Sequence, residues 1–176
     1  MKKIAITGGI GTGKTHISKL FLQMGIPVFY ADEEAKKCYE DKHIIDTIRS
    51  YFGKDVFTDG RLDFKKMAQF VFQDPKKREI INNLIHPTVM GMFDEWAEEQ
   101  HAPSVMLESA IVYENELEKF FDMVIVVDAP LDVRLERIKK RNPNLTEKEI
   151  MDRINAQMPQ EEKCRRADMV IDNRGQ

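Results

Sequence analysis

The sequence predicts an α/β protein in which a five-stranded parallel sheet is flanked by helices. Two observations predict this class. Short apolar runs alternate with longer amphipathic stretches, and a glycine-rich turn follows the first apolar run directly. A chain of 176 residues has the length of one domain and can bury a sizeable core without disulfides or metal.

Five apolar runs are the expected strands. In chain order they cover residues 3–7, 27–30, 104–108, 122–128 and 169–172. A helical pattern over residues 14–24 follows the first run, and Gly25 stands where a C-terminal cap belongs. We therefore expect a core made of residues 1–31, 102–130 and 167–176.

About seventy residues between the second and third strands have a wholly helical pattern. The expected helices cover residues 32–40, 44–52, 64–73, 76–85 and 88–100, and the turns between them include His86-Pro87. An insertion of this length is too large for a plain crossover connection. We expect residues 32–101 to form a small acceptor-binding subdomain; the alternative is that they only cover one sheet face.

A lid is expected over residues 131–166, with helices at 131–141 and 146–158. Thr146 and Glu149 have the spacing of a capping box, which marks the start of the second helix.

Composition narrows the classes of function. Lys plus Arg is 27 against 30 for Asp plus Glu, a net charge of −3, which disfavours a protein that grips duplex nucleic acid. No apolar run approaches the roughly 20 residues needed to cross a bilayer, and the apolar start is too short for a signal peptide. Cys38 and Cys164 form no metal or redox motif. We expect a cytoplasmic protein with free thiols, acting on a small molecule as a monomer or weak homo-oligomer, without nucleic acid or membrane partners.

The segment Gly-Gly-Ile-Gly-Thr-Gly-Lys-Thr at 8–15 matches the phosphate-binding loop pattern G-x-x-x-x-G-K-[ST]. Such a loop wraps a triphosphate with backbone N–H groups, its lysine reaches the β- and γ-phosphates, and its Thr hydroxyl can ligate Mg²⁺. The predicted ATP site comprises Gly9, Gly11, Thr12, Gly13, Lys14, Thr15 and His16. The alternative is a glycine-rich turn with an incidental lysine.

Three acidic residues lie at or just beyond predicted strand ends, where ligands bind in open parallel sheets. Asp32 can take the proton from an attacking hydroxyl, although Asp is also a common N-cap. Glu108 is expected to contact the acceptor and to hold Mg²⁺ with Thr15, partly through water. Asp128 carries a weaker signal and is expected only to cap the helix from residue 131.

Basic side chains on the predicted lid could neutralise charge on the transferred group. Arg134, Arg137 and Arg141 share one helix face, and we expect this arginine row to lie over the triphosphate of ATP. A solvated basic face is the alternative. His86 is a candidate functional residue, although a lone histidine is more often structural.

No N-K-x-D or D-x-x-G motif accompanies the loop, which leaves guanine specificity without a basis, and the chain is short for a motor ATPase. The sequence resembles the dephospho-coenzyme A kinases over nearly its whole length. The resemblance is carried by the loop and by Ala31-Asp32, Asp59-Gly60-Arg61-Leu62, Ile85-His86-Pro87, Tyr113-Glu114, Arg137 with Arg141, the run at 153–157, Glu162-Lys163, Ala167-Asp168 and Asn173.

The resemblance implies a nucleoside-monophosphate-kinase-like fold with strand order 2-3-1-4-5. It implies transfer of the γ-phosphate of MgATP to the ribose 3′-hydroxyl of dephospho-CoA, the last step of CoA synthesis. Asp32 matches the family's catalytic aspartate, Arg141 matches its lid arginine and is expected to act in catalysis, and Asn173 lies in the stretch expected near adenine. His86 falls where the family's acceptor-binding helical region begins, which implies a role in acceptor binding. Departures include Tyr30 and Glu108, each in place of a usual Asp, and Ala110 in place of a usual Pro. Members of the family typically continue into one more helix beyond residue 176. A kinase for another small acceptor and a nucleotide-binding regulator remain alternatives.

Overall fold

The computed structural model describes residues 1–175 without the side chains of Phe72 and Gln73, and its main sheet has five parallel strands. Gln176, the last residue of the predicted core, lies outside the described residues. The sheet strands are β1 (Lys2–Thr7), β2 (Val28–Tyr30), β5 (Ser104–Glu108), β6 (Met123–Asp128) and β7 (Met169–Asp172), in the spatial order β2-β5-β1-β6-β7. Counted among these five, that is 2-3-1-4-5, so the predicted fold class and strand order are confirmed.

The inner strands of the sheet are mostly buried because they are almost continuously apolar, as parallel strands covered on both faces require, whereas the edge strand β7 is largely exposed. Ile6, Val28, Met106 and Ile125 form one cluster across four strands, and Ile17 and Phe21 of the first helix pack against it. This arrangement fixes β1 between β5 and β6 and brings the ends of these strands to one edge.

Residues 1–175 contain eight α-helices. They are α1 (Lys14–Gln23), α2 (Ala31–Cys38), α3 (Lys42–Phe52), α4 (Phe64–Gln73), α5 (Pro75–Glu99), α6 (Leu131–Arg141), α7 (Glu147–Asn155) and α8 (Gln160–Arg166), and a short 3₁₀ helix covers Leu117–Phe120. The predicted capping box of Thr146 and Glu149 starts α7, and Gly25 has the positive φ of 87° expected after α1. The sequence did not predict α8 as a separate helix. None of the helices over residues 1–175 has both the length and the apolar character of a membrane span.

The chain divides into two compact units. The first comprises Met1–Tyr30 and Ala97–Gln176, and the second comprises Ala31–Trp96. The sheet, the glycine-rich loop and helices α1 and α6–α8 belong to the first unit.

The second unit is not wholly helical, which corrects the prediction. A two-stranded antiparallel hairpin joins β3 (Phe57–Thr58) to β4 (Arg61–Leu62). Its turn residues Asp59 and Gly60 both have positive φ, 50° and 77°, as a type I′ turn demands. The Asp-Gly pair was the sequence signal for this hairpin.

Helix α5 also corrects a prediction, because it runs without interruption through His86-Pro87. Ile81, Ile85, Val89 and Phe93 are buried at every fourth position on both sides of the proline. That continuous apolar stripe outweighs the backbone hydrogen bond that Pro87 cannot donate. Pro87 itself is exposed, so water can reach the carbonyl group left without its usual donor.

Candidate active site

The loop between β1 and α1 leaves no room for side chains at two of its glycines. Gly8 has φ 149°, and a Cβ there would lie 2.4 Å from the carbonyl oxygen of Val127. Gly13 has φ 89°, and a Cβ there would lie 2.3 Å from Nδ2 of Asn173. Only glycine satisfies both the backbone angles and the space at these two positions.

The second half of the loop presents unsatisfied N–H groups at the start of α1. Gly13 is the N-cap in a left-handed conformation and provides no side-chain cap. Among the described residues, the N–H groups of Gly11, Gly13 and Thr15 have no protein acceptor. A helix N-terminus with orphan N–H groups and the positive end of its dipole is suited to bind phosphate.

The first half of the loop is, by contrast, satisfied by protein groups. The Gly9 N–H donates to Oε1 of Gln160 at 2.8 Å, and the Ile10 N–H donates to Oε1 of Gln157 at 2.8 Å. The Thr12 hydroxyl donates to the Gly9 carbonyl at 2.9 Å. The loop therefore has a first half whose N–H groups donate to side chains of the protein and a second half whose N–H groups can donate to a ligand.

Two of the three predicted lid arginines hold the loop's backbone. Arg134 Nε donates to the Ile10 carbonyl at 2.9 Å, and Arg137 Nη1 donates to the Thr12 carbonyl at 3.3 Å. Burial lowers the pKa of Arg134, and the nearby carboxylate of Asp128 opposes that effect. Arg134 thus brings a buried positive charge to the loop, a contact that spacing along a helix could not reveal.

Asn173 also contacts the loop. Its side-chain Nδ2 donates to the Thr12 carbonyl at 2.8 Å, and its main-chain carbonyl accepts from Arg137 Nη2 at 2.9 Å. The structure thus brings Asn173 and Arg137 to the glycine-rich loop, whereas the side chain of Arg141 is exposed at the end of α6 and makes no hydrogen bond or ion pair with any described residue. Contact of Asn173 with adenine, and of Arg137 and Arg141 with phosphates, stays a prediction.

Asp128 does not cap α6, and that expectation is wrong. The N-cap position belongs to Pro130, which has no side-chain donor or acceptor. Asp128 Oδ1 instead accepts a hydrogen bond from Nε2 of Gln160 at 3.0 Å. The carboxylate thus fixes a glutamine that reaches the loop.

Thr15 and Glu108 lie together, as the sequence predicted for a metal pair. The Thr15 hydroxyl donates to Glu108 Oε1 at 3.2 Å, and Glu108 is buried at the end of β5. Hydroxyl and carboxylate oxygens are hard donors that Mg²⁺ accepts, and Mg²⁺ beside nucleotides uses one or two protein oxygens with phosphate and water completing its shell. The described residues contain no cluster of three or more His, Cys, Asp or Glu suited to a metal cage. This donor set therefore fits Mg²⁺ bound together with a phosphate ligand.

The remaining predicted loop residues open α1. Lys14 is its first residue and is half-buried, whereas His16 is exposed. Ser18 Oγ donates to the Lys14 carbonyl at 2.9 Å one turn later.

Two predicted acceptor residues, Asp32 and His86, lie in the second unit. Helix α2 begins at Ala31, so Asp32 lies exposed within its first turn and is not the N-cap. His86 is half-buried within α5, and burial lowers its pKa.

Sequence reasoning missed several residues that shape the site. Gln157 was quoted only within a run of the family resemblance, and Gln160 carried no local signal. Lys163 is fully buried, with Nζ 2.7 Å from Glu114 Oε1 and donating to the Ala110 carbonyl at 2.6 Å. Burial lowers the pKa of Lys163, and the hydrogen bond with Glu114 opposes this. The pair links α8 to the segment after β5, next to Glu108.

Comparison with known proteins assigns the family. Residues 2–176 match the family described as dephospho-CoA kinase. The chain is 40% identical over 177 residues to a dephospho-CoA kinase of Listeria innocua, covering 98% of this chain and 88% of that protein. It is 38% identical over 176 residues to one of Bacteroides fragilis, covering 99% and 85%.

Solved structures agree with the fold. The structure of TT1252 from Thermus thermophilus superimposes with a TM-score of 0.89 at 34% identity, covering 99% of this chain and 89% of that one. The dephospho-CoA kinase of Campylobacter jejuni gives 0.67 at 23% identity, with the same coverage of each chain. A shikimate kinase of Bacteroides thetaiotaomicron, at 0.53 and 17% identity over 97% of this chain and 86% of that one, shares the phosphate-loop kinase fold alone. From its full-length match and its relatives, this chain belongs to the dephospho-CoA kinase family and is a kinase.

Proposed function

We propose that the protein transfers the γ-phosphoryl group of ATP to the ribose 3′-hydroxyl of dephospho-CoA and so yields CoA and ADP. One observation carries the proposal within this family. The unpaired N–H groups of Gly11, Gly13 and Thr15 at the start of α1 stand beside the Thr15–Glu108 pair at the sheet edge. This is an anion site with metal-binding oxygens at its border, as phosphoryl transfer from ATP requires.

Each loop group has a role in holding the nucleotide. The N–H groups of Gly11, Gly13 and Thr15 bind phosphate oxygens, and Lys14 supplies a positive charge to the β- and γ-phosphates. Arg137 acts from beneath the loop, where it donates to the Thr12 carbonyl. Arg141 is exposed at the end of α6, and its positive charge stabilises the transferred phosphoryl group when that helix approaches the phosphates.

Magnesium is part of the proposal. Thr15 and Glu108 would hold it, in part through water, and the ion would neutralise charge on the β- and γ-phosphates. Glu108 differs from Asp by one methylene and keeps the carboxylate.

Asp32 is proposed as the general base. The 3′-oxygen forms a bond to the γ-phosphorus, the bond to the β–γ bridging oxygen breaks, and the 3′-hydroxyl proton passes to the Asp32 carboxylate. ADP leaves with the bridging oxygen. Asp32 is exposed in the first turn of α2, which leaves its carboxylate accessible to a substrate hydroxyl.

The second unit is proposed as the acceptor-binding insertion, about residues 32–101, with residues 131–166 as the lid. A cavity of about 760 Å³ in this unit has Lys36 and Lys37 of α2, and Arg61 of β4, in its lining. Tyr39 and Phe64 also line it, with their rings edge to face and 5.2 Å between centroids. Lys36 follows Asp32 by four residues, one turn along α2.

The chemistry of this cavity suits the rest of the acceptor. Lys37 is paired with Glu34 Oε1 at 2.6 Å. The other two cationic side chains of the lining, Lys36 and Arg61, stand with one lining carboxylate, Glu40, which favours a diphosphate. The aromatic and aliphatic walls favour the pantetheine arm. Lys36→Ala and Arg61→Ala should raise KM for dephospho-CoA, while Kd for ADP alone stays unchanged. Unchanged KM values in both variants would remove the cavity from the proposal.

A coupled assay of ADP release tests the reaction. Release should depend on dephospho-CoA, and mass spectrometry should find CoA bearing the new 3′-phosphate. Equal release with water, AMP or CMP would identify a different kinase or an uncoupled ATPase. Binding of ATP with no turnover for any acceptor would indicate a regulator.

Asp32→Asn separates these outcomes. The proposed base acts only in the transition state, so kcat should fall at least about 100-fold while Kd for ATP changes little. Glu33→Gln, the neighbouring exposed acid of α2, is the matched control and should keep its kcat.

Location and assembly complete the proposal. Cys38 and Cys164 are both free thiols, which agrees with a reducing cytoplasm. We propose that the enzyme acts there on a small molecule, as a monomer or weak homo-oligomer, and has no nucleic acid partner.

A further inference from the structure

We propose that Gln157 and Gln160 are positioning residues that hold the ATP loop in its phosphate-binding shape before nucleotide arrives. The inference rests on the proposed use of this loop for ATP but not on the identity of the acceptor. We refer to these two side chains as the glutamine clamp.

The clamp contacts the two loop N–H groups that come before the phosphate-binding half. Gln157 Oε1 accepts from the Ile10 N–H and Gln160 Oε1 from the Gly9 N–H, each at 2.8 Å. Each glutamine is about 150 residues from its partner along the chain, with separations of 147 and 151. The clamp thus fixes one half of the loop to a distant part of the chain.

Gln160 also anchors the loop to the sheet. Its Nε2 donates to the Val127 carbonyl and to Asp128 Oδ1, both at 3.0 Å. Val127 is the residue whose carbonyl oxygen excludes a Cβ at Gly8. One amide therefore sets the spacing between the loop and the end of β6, through its oxygen on one side and its nitrogen on the other.

Glutamine suits this task better than an acid. A carboxylate would also accept from the two N–H groups, but it would lose the donors that Gln160 uses. It would also place a negative charge beside a triphosphate. The amide is neutral and both donates and accepts.

Core packing does not explain these side chains. Gln157 and Gln160 are only half-buried, and both line an open cavity of about 590 Å³ with Met151, Ile154 and Met158. A side chain at the wall of a solvent-open cavity contributes little as filler. The main contribution of Gln157 and Gln160 is therefore their hydrogen bonding to the loop.

The clamp matters because the loop is intrinsically flexible. Gly8, Gly11 and Gly13 all have positive φ, so the free segment would populate many other conformations. With Gly9 and Ile10 fixed, the N–H groups of Gly11, Gly13 and Thr15 are directed together before a ligand binds. Ligand binding then avoids part of the ordering entropy.

Gln157→Met and Gln160→Met test the clamp, because Met keeps the length and removes the amide. Calorimetry should show Kd for ADP raised about 2- to 12-fold in Gln157→Met, the value of one hydrogen bond. Kd should rise by at least that factor in Gln160→Met, which also loses the bonds to Val127 and Asp128. Gln69→Met, at an exposed position of α4, is the matched control and should bind ADP as the wild type does.

Amide hydrogen exchange in the nucleotide-free protein supplies the structural readout. Exchange at Ile10 should accelerate in Gln157→Met and exchange at Gly9 in Gln160→Met, while Ala5 and Ile6 of β1 keep their protection. Gln157→Glu should restore protection at Ile10, since its carboxylate still accepts, yet leave ADP binding weak because of its charge.

Kinetics distinguish positioning from general destabilisation. KM for ATP should rise in both Met variants, and KM for dephospho-CoA should stay constant. Faster exchange at Gly9 and Ile10 with an unchanged Kd for ADP would overturn the proposal, as would equal loss of protection throughout β1. ADP binding and exchange need no acceptor, so these results stand apart from any failure of the acceptor assignment.

Discussion

At the scale of single residues, the geometry of the loop explains why the phosphate-binding motif requires glycine. A Cβ at Gly8 would meet the Val127 carbonyl oxygen at 2.4 Å, and that oxygen belongs to a sheet strand that cannot move away. Gly91, on an exposed turn of α5, has nothing within 4 Å of the corresponding position. The same residue type is therefore essential at one site and dispensable at the other.

We expect Gly8→Ala to lower the free energy of unfolding by roughly 2–4 kcal/mol, because both its φ and its clash act against the fold. Gly91→Ala should raise it by about 0.5–1 kcal/mol, as in any exposed helix interior. Urea denaturation of both variants measures the difference, and a stable Gly8→Ala protein that still binds ADP would contradict the loop geometry.

His86 gives a residue-scale prediction about pH. Burial lowers its pKa from the ordinary value of 6.5, so the folded state binds the proton less readily than the unfolded chain does. Stability from this group is fully present above pH 6.5 and is lost as the pH falls through the lower folded pKa. The wild type should therefore lose more stability than His86→Gln between pH 7.5 and 5.5 in urea titrations. Parallel curves would mean that His86 does not cause the acid-side loss.

At the scale of elements, α5 shows what a local signal cannot decide. Proline predicts a break, and the sequence pattern alone gives two helices at this point. The buried stripe at Ile81, Ile85, Val89 and Phe93 continues in phase across Pro87, and tertiary burial of that stripe prevails.

Pro87→Ala should consequently raise the free energy of unfolding by about 1–3 kcal/mol, since it restores a helix hydrogen bond and removes a steric conflict. Thermal and urea unfolding would detect this gain. A loss of stability would show instead that Pro87 fits a local distortion that α5 needs.

At the scale of the whole molecule, the sequence predicted the strands and most helices but missed contacts between residues that are far apart along the chain. The strands, their order, most helices and the Thr15–Glu108 pair followed from periodicity, strand ends and family motifs. The contacts of Arg134 and Gln160 with the loop span 124 and 151 residues, and no spacing rule reports such distances. The Asp-Gly pair was sufficient to predict the hairpin, whereas the hydrogen bond between Gln160 and Asp128 is visible only in the folded structure.

The Lys163–Glu114 pair is a long-range contact with a measurable contribution to stability. Lys163→Met should lower the free energy of unfolding by about 3–5 kcal/mol, because it leaves the Glu114 carboxylate poorly compensated. Lys163→Met with Glu114→Gln should recover part of that loss, since the neutral amide can still accept from the Met158 N–H. A double-mutant cycle in urea measures the coupling. Strict additivity would show that the pair is not a coupled unit.

The division of the ATP loop into two halves has a consequence for how the protein is made. Its first half is completed by Gln157 and Gln160, and its second half is braced by Asn173. A ribosome translates the glycines first and these supports more than 140 residues later, as the separations of 147, 151 and 161 show. A nascent chain halted before Gln157 emerges should therefore bind nucleotide more weakly than the complete chain, so ATP stabilises the protein most at the last stage of its synthesis.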